Sequence, residues 1–211
     1  MFLVEKAISY YRTQLKLSPT AIQYLKDRGI SSKVVNEFQI GYAPSNPEYG
    51  YSYHDRIMIP IRNNWGEFVA FTGRTIISDS PKYLNSWESP EYQKYRLLFG
   101  YYESLSHIIN SGEAILVEGQ FDLLTLWQNG VKNVVASSGK FTPEQARVLS
   151  RYTTKVIIAM DNDSAGDKIA IKAKRYLEDM EVTTTVLKLP VKDPDEYIRA
   201  EGIDKFKELC L

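Results

Sequence analysis

Residues 114–122 read AILVEGQFD and residues 156–166 read VIIAMDNDSAG, and these two stretches decide the fold. Each begins with a short apolar run, rich in β-branched residues, that is typical of a strand buried on both faces of a parallel sheet. Each run ends in acidic and glycine residues and leads into a helical pattern. Strand and helix patterns that alternate in this way predict an α/β fold with a mainly parallel central sheet flanked by helices.

The acidic residues that follow these two runs are Glu118, Asp161 and Asp163. Because the carboxyl ends of neighbouring parallel strands share one edge of the sheet, we expect the three side chains to meet there. Crowded carboxylates repel one another unless a cation lies among them, and oxygen ligands suit Mg²⁺ or Mn²⁺. The pattern therefore predicts divalent-metal chemistry on phosphates, with Gly119 and Gly166 letting the backbone approach a phosphate closely.

The same alternation continues through residues 113–190. We predict strands at 114–118, 133–137, 155–160 and 183–189, and helices at 121–129, 142–151 and 165–180. The sequence Asp193-Pro194-Asp195 then predicts a helix start, because proline suits the first turn and Asp193 can cap it. Asp193 and Asp195 thus also follow a strand end and can join the acidic edge. Residues 203–211 predict a short amphipathic helix at most.

The first region of the chain has a different pattern and predicts a smaller, mixed α+β subdomain. We expect helices within residues 1–38, a turn at 40–44, a hairpin within 55–76 and a long loop over 78–96. That loop mixes lysine and arginine with tyrosine and tryptophan. Loops of such length are usually functional or disordered.

Composition limits the function classes. The 211 residues carry 26 basic and 26 acidic side chains, so any contact with nucleic acid must come from a local patch. The single cysteine, Cys210, excludes an intrachain disulfide and a cysteine-based zinc ribbon within this sequence. Neither a signal pattern nor a membrane-spanning stretch is visible, and we expect a cytoplasmic protein that does not contact the membrane.

The glutamate after the first strand of the second region and the DxD after the third resemble the Toprim domain shared by topoisomerases and bacterial-type primases. The rest of the chain narrows the resemblance to the RNA-polymerase domain of DnaG-type DNA primases, in the family's order from about residue 20 to about residue 202. The similar stretches in the first region are YLKDRGI (24–30), FQIGYAP (38–44), RIMIPI (56–61), FTGR (71–74) and PKYLNS (81–86). Several ordered motifs are far more specific than a DxD alone.

The resemblance implies roles for individual residues. Glu118 is implied to act as a general acid/base or to organise metal at the attacking hydroxyl, and Asp161 and Asp163 are implied to be the catalytic metal-binding pair. The further acidic positions of the implied metal site are Asp122, Asp193 and Asp195, and the positions implied to bind nucleotide or DNA are Arg56, Arg74, Lys82, Asn85 and Lys94.

The resemblance also implies an activity and partners. We expect a primase catalytic core that makes short RNA primers from ribonucleoside triphosphates on single-stranded DNA, with Mg²⁺ or Mn²⁺ and without zinc. The expected organisation is a primase-type subdomain at 1–112, a Toprim domain at 113–190 and a short acidic motif with a helix at 191–211. The family's zinc-binding and helicase-interaction modules are not recognisable. Either other polypeptides supply them, as would suit a compact phage-encoded primase in a bacterial or phage-infected cell, or the sequence is an excised catalytic core. A separate zinc-binding module and a replicative helicase are the expected partners.

Other interpretations remain open at this point. Asp122 can simply favour a helix dipole, Asp193 can be a helix N-cap and Asp195 a first-turn acid. For the whole chain, the alternatives are a Toprim-type nuclease or topoisomerase-like DNA cleavage protein, and a non-catalytic binder of single-stranded DNA or of a replication factor.

Overall fold

A computed structural model describes residues 2–77 and 81–210. The chain divides into two compact units, Met1–Tyr92 and Gln93–Leu211. Leu98, Tyr101 and Ile108 pack into the core of the second unit, so the structure groups residues 93–112 with that unit. The three-part division expected from the sequence stays a prediction. Among the described residues, no helix has both the length and the apolar character needed to cross a membrane.

Among its described residues, the first unit combines three α-helices with a four-stranded antiparallel sheet in the order β1-β2-β3-β4, which confirms a mixed α+β subdomain. Its elements are α1 (Phe2–Leu17), α2 (Pro19–Asp27), α3 (Ser32–Glu37), β1 (Gly41–Ala43), β2 (Arg56–Arg62), β3 (Phe68–Thr75) and β4 (Tyr83–Asn85). The hairpin predicted within residues 55–76 is confirmed as β2 and β3.

Two segments of the first unit differ from the prediction. The turn expected at 40–44 is wrong, because it contains β1, where a Cβ on Gly41 would lie 2.5 Å from the Tyr11 backbone carbon. Such close packing of α1 on β1 requires glycine. The loop expected over 78–96 contains β4 and a short 3₁₀ turn at Lys94–Arg96, and its residues 78–80 lie outside the described part of the chain.

The second unit contains a parallel sheet in the order β6-β5-β7-β8 with helices around it, as predicted. Its elements are α4 (Tyr101–Ser111), β5 (Glu113–Val117), α5 (Gln120–Gln128), β6 (Val134–Ala136), α6 (Pro143–Leu149), β7 (Lys155–Ala159), α7 (Ser164–Glu178), β8 (Thr183–Val186), α8 (Pro194–Glu201) and α9 (Ile203–Leu209). Helix α4 was not predicted.

Strands β5 and β7 lie side by side in the middle of this sheet, and their apolar side chains form its core. Leu116 and Ile158 are fully buried, together with Val135 on the neighbouring strand β6. Burying one such side chain contributes about 1.5–3 kcal/mol. The well-packed centre of the sheet therefore fixes the backbone at the point where both strands end.

Candidate active site

The ends of β5 and β7 bring the predicted catalytic carboxylates together. Val117 at the end of β5 pairs with Ala159 at the end of β7, so Glu118 and Asp161 follow at the same edge of the sheet. The charges of Asp161 and Asp163 both act on Glu118. Glu118 and Asp161 thus follow paired strand ends, with Asp163 two residues further along the chain. We call these three residues the rim carboxylates, and their action as one site stays a prediction.

The surroundings of Glu118 disfavour the ionised form of its side chain. Burial raises its pKa to about 7, and the negative charges of Asp161 and Asp163 add to this effect. A backbone hydrogen bond from Asp161 and the charge of Lys192 act in the opposite direction. The Oε2 atom of Glu118 is buried and has no hydrogen-bond partner. A buried acceptor without a donor is costly, and a bound cation would satisfy it.

Asp163 begins helix α7 and stays ionised. Its Oδ1 accepts hydrogen bonds from the backbone N–H groups of Ala165 and Gly166, both at 2.8 Å. These bonds lower the pKa of Asp163, and the charge of Lys192 lowers it further. Asp163 is therefore a fixed negative charge at the sheet edge.

Gly166 and Gly119 both lie against neighbouring protein atoms. A Cβ at this position would lie 2.0 Å from the carbonyl oxygen of Asp161, and a Cβ on Gly119 would lie 2.8 Å from Oδ2 of Asp122. Both glycines therefore make room for neighbouring protein atoms, and their expected close approach to a phosphate stays a prediction. The first turn of α7 packs directly on Asp161 and fixes its backbone.

The rim carboxylates fit a divalent cation by their chemistry. In the part of the chain that the structure describes, no three Asp, Glu, His or Cys side chains are grouped so that they could hold a metal ion by themselves. Mg²⁺ does not need such a set, because it usually keeps several waters and binds one or two carboxylates together with substrate phosphates. The unpartnered Glu118 oxygen and the repulsion among the three carboxylates are what a cation would relieve.

Two of the further predicted metal ligands, Asp122 and Asp195, are buried, and we call them the buried carboxylates. Asp122 accepts hydrogen bonds from the N–H of Gly119 at 3.0 Å and from the N–H of Asp195 at 3.1 Å. Burial raises the pKa of Asp122 well above its usual range, and the charges of Asp193 and Asp161 raise it further. This side chain caps α5 and holds the start of α8 against it.

Asp195 has partners at both of its oxygens. Its Oδ1 accepts a hydrogen bond from the Thr125 hydroxyl at 2.7 Å, and Arg199 donates to both oxygens at 3.3 and 3.1 Å. These contacts join α8 to α5. Both oxygens thus already accept hydrogen bonds from the protein, and contact of Asp195 with a metal ion stays a prediction.

Asp193 caps α8, as the simpler interpretation expected, because its Oδ1 accepts from the N–H of Glu196 at 2.8 Å. The preceding residue, Lys192, is not among the predicted site residues. Its Nζ lies 3.6 Å from Oδ2 of Asp193, and its charge acts on the rim carboxylates Glu118 and Asp163. Its place beside the Asp193-Pro194-Asp195 motif was the available signal.

Among the predicted nucleotide-binding residues of the first unit, Arg56 is buried. Its guanidinium donates to the carbonyl oxygens of Gly73 at 3.2 Å and of Pro81 at 2.8 Å. Burial lowers the pKa of Arg56, and its Nε has no hydrogen-bond partner. Arg56 thus ties β2 and β3 to the segment before β4, and direct contact with nucleotide stays a prediction.

Three other predicted residues lie on or beside the β3–β4 pair. Arg74 pairs with Tyr83 across the strands, and its guanidinium carbon lies 5.0 Å from the Tyr83 ring centre. The Lys82 Nζ lies 5.8 Å from the same ring, and Asn85 pairs with Thr72. The structure therefore groups Arg74, Lys82 and Asn85 on one strip of the antiparallel sheet.

The last predicted residue, Lys94, belongs to the second unit. Its carbonyl oxygen accepts a hydrogen bond from the side chain of Gln145 at 3.5 Å, which links the 3₁₀ turn to α6. The position of Lys94 relative to a nucleotide stays a prediction.

Comparison with known families gives two matches along this chain. A family model described as Toprim-like matches residues 115–198, which include the rim and buried carboxylates. A second model, the N-terminal domain of the DNA primase catalytic core, matches residues 10–53 and 46–105.

Individual proteins show the same similarity. The DNA primase of Aquifex aeolicus is 38% identical over 237 aligned residues, which cover 98% of this chain and 47% of that protein. The DNA primase of Listeria monocytogenes is 36% identical, with 98% of this chain and 38% of that protein covered. The chain thus spans less than half the length of these two relatives. Both are bacterial, and they give no support to a phage origin.

Solved structures agree closely with this fold. The zinc-binding and RNA polymerase domains of the Aquifex aeolicus primase superimpose with a TM-score of 0.90 at 37% identity, covering 98% of this chain and 59% of that one. A DnaG primase catalytic domain bound to single-stranded DNA superimposes with a TM-score of 0.86 at 30% identity, covering 98% of this chain and 78% of that one.

Proposed function

Because the chain belongs to the family of DnaG-type DNA primase catalytic cores, we propose that it synthesises short RNA primers on single-stranded DNA by metal-dependent nucleotidyl transfer. The observation that carries the proposal is the edge of the parallel sheet, where Glu118, Asp161 and Asp163 meet and the Oε2 of Glu118 has no partner. The similarity to primases covers nearly the whole chain.

The proposed cofactor is Mg²⁺ or Mn²⁺, held by the rim carboxylates. Such ions activate the attacking 3′-hydroxyl oxygen and neutralise charge on the phosphates. Asp163 is already fixed and ionised by its helix-capping bonds, and Gly166 fixes the backbone of Asp161. The buried carboxylates hold α5 and α8 in place around the rim. No zinc is expected in this chain.

Glu118 is the proposed acceptor for the proton of the attacking hydroxyl. A base is most effective when its pKa lies close to the working pH, and burial brings the pKa of Glu118 to about 7.

The basic strip of the first unit is the proposed binding surface for phosphates. Arg74 and Lys82 can form charge-assisted hydrogen bonds with a triphosphate or a DNA backbone, and Asn85 can donate from its amide. Arg56 positions this strip, because it holds the carbonyl oxygen of Pro81 next to Lys82. Template pairing would read the sequence, so little base-specific protein chemistry is required.

Partners and location follow from the family. One similar solved structure joins a zinc-binding domain to its RNA polymerase domain, which supports a zinc-binding module as a partner of this core. Single-stranded DNA, ribonucleoside triphosphates, the RNA primer and a replicative helicase complete the proposed set. The bacterial cytoplasm is the proposed location.

Extension of a preformed RNA primer on a DNA template tests the proposal without the need for initiation. With ribonucleotides and Mg²⁺ or Mn²⁺, the chain should lengthen the primer, and Asp161→Asn should not. Nicking of DNA without incorporation would favour the nuclease alternative. Binding of the template by a chain that neither extends nor nicks would favour the non-catalytic binder.

A further inference from the structure

Lys192 lies in the turn before α8, and hydrogen bonds fix its main chain on both sides. The N–H of Asn162 donates to the carbonyl oxygen of Lys192 at 2.6 Å. The N–H of Lys192 donates to Oε2 of Glu196 at 3.3 Å. The first bond comes from the residue between Asp161 and Asp163. The base of the Lys192 side chain is therefore held at a set position beside these two aspartates.

The ammonium group of Lys192 faces the carboxylates. Its Nζ lies 3.6 Å from Oδ2 of Asp193, and its charge acts on both Glu118 and Asp163. The Lys192 side chain is 51% exposed and the Asp193 side chain 20% exposed, so the ammonium lies on the solvent side of the cluster.

We propose that Lys192 is a built-in counter-ion of the rim carboxylates, which competes with the divalent cation for the same negative charge. This inference rests on the proposed function, because it assumes the metal site. One ammonium offsets only one of the four negative charges that Glu118, Asp161, Asp163 and Asp193 can carry, so a divalent ion can still displace it. The displaced ammonium would then be available to a nucleotide phosphate.

The competing interpretation is an ordinary exposed ion pair between Lys192 and Asp193. Exposed pairs of this kind contribute little to stability, and such a pair would not affect metal binding. The two interpretations differ in the metal affinity of the nucleotide-free protein, which can be measured without any activity assay.

The experiment is a Mn²⁺ titration of the nucleotide-free chain, followed through the electron paramagnetic resonance signal of free Mn²⁺. Lys192→Gln should bind Mn²⁺ about threefold to tenfold more tightly than the wild type, because a repelling charge a few ångströms away is removed. Lys192→Met should show the same tightening, and Lys192→Arg should keep wild-type affinity. Lys155→Gln is the matched control, since it removes a charge paired with Glu113 where β5 and β7 begin, and it should leave the affinity unchanged.

The outcomes separate this inference from the proposed function. Unchanged or weaker Mn²⁺ binding by folded Lys192→Gln and Lys192→Met would overturn the counter-ion role. The metal site would still stand if the wild type binds Mn²⁺ and Asp161→Asn does not. Absence of Mn²⁺ binding by the wild type and by both neutral variants would overturn the site and the counter-ion role together.

Discussion

The rim carboxylates and the buried carboxylates have the same chemistry but opposite surroundings. Both oxygens of Asp122 and both oxygens of Asp195 accept hydrogen bonds from the protein. Glu118, in contrast, keeps a buried oxygen without any donor. The difference shows that acidic residues predicted for one metal site can have different roles. The buried pair holds helices α5 and α8 together, and Glu118 on the rim keeps one oxygen atom available for a ligand.

The largest expected effect is the loss of activity when the rim loses a charge. Glu118→Gln should reduce primer extension at least about 100-fold, because the charge and the base at the sheet edge disappear while the shape is kept. Glu113→Gln, at the other end of β5, is the matched control and should extend primers normally. If Glu118→Gln and Glu113→Gln extended primers at equal rates, the rim carboxylates would have no special role in catalysis.

The next effect concerns the buried carboxylates and is on stability. Asp195→Ala should lower the free energy of unfolding by about 2–3 kcal/mol, because the buried Thr125 hydroxyl and Arg199 lose their partner. Urea denaturation measures this change. Asp204→Ala, an exposed first-turn acid of α9, should change it by less than about 0.5 kcal/mol. If Asp195→Ala were as stable as the wild type, the structural role of the buried pair would be wrong.

A smaller effect is expected where α7 meets the rim. Gly166→Ala places a Cβ against the carbonyl oxygen of Asp161, so the backbone must shift, at a cost of about 1–3 kcal/mol in the free energy of unfolding. Primer extension should fall as well, because Asp161 moves. Ala165→Ser, at the exposed neighbouring position, should leave both quantities nearly unchanged. A fully active Gly166→Ala would show that the position of Asp161 tolerates this shift.

The smallest effect is expected at Asp193, which belongs to neither group. Asparagine caps helices about as well as aspartate, so Asp193→Asn should change the free energy of unfolding by less than about 0.5 kcal/mol. Asp193→Ala should cost about 1 kcal/mol, because the bond to the N–H of Glu196 is lost. A large destabilisation by Asp193→Asn would show that its charge, rather than its capping bond, matters for folding.

Much of the fold was readable from the sequence, because the buried strands of a parallel sheet leave a strong pattern. The apolar runs at 114–117 and 156–160 predict the strands β5 and β7 directly. The proline in its first turn predicts where α8 begins. The three-residue strands β1 and β4 are too short to show an alternation, and they form through pairing with β2 and β3. Helix α4 was missed although Tyr101, Leu105 and Ile108 follow a helical spacing.

Only part of the candidate site could be predicted from the sequence, because several of its contacts join residues that lie far apart along the chain. The meeting of the rim carboxylates follows from strand order alone. The hydrogen bond between Asp122 and the N–H of Asp195 joins residues 73 positions apart, and no local pattern indicates it. The burial of Arg56 likewise depends on the carbonyl oxygen of Pro81, 25 residues further along the chain.

The central claim, that the rim carboxylates hold a divalent cation, is tested most directly by the pH dependence of unfolding with and without Mg²⁺. The pKa of Glu118 is about 7 in the folded protein against its usual 4.5, so the folded state keeps a proton that the unfolded chain loses. In EDTA, stability should therefore fall as the pH rises from about 4.5 to 7, and Glu118→Gln should show a smaller fall, because the raised pKa of Asp122 still contributes.

At pH 8, Mg²⁺ at tenfold above its dissociation constant should raise the wild-type free energy of unfolding by about 1.4 kcal/mol. Asp161→Asn should gain much less. A wild-type protein whose free energy of unfolding at pH 8 is the same in EDTA and in saturating Mg²⁺ would contradict the claim.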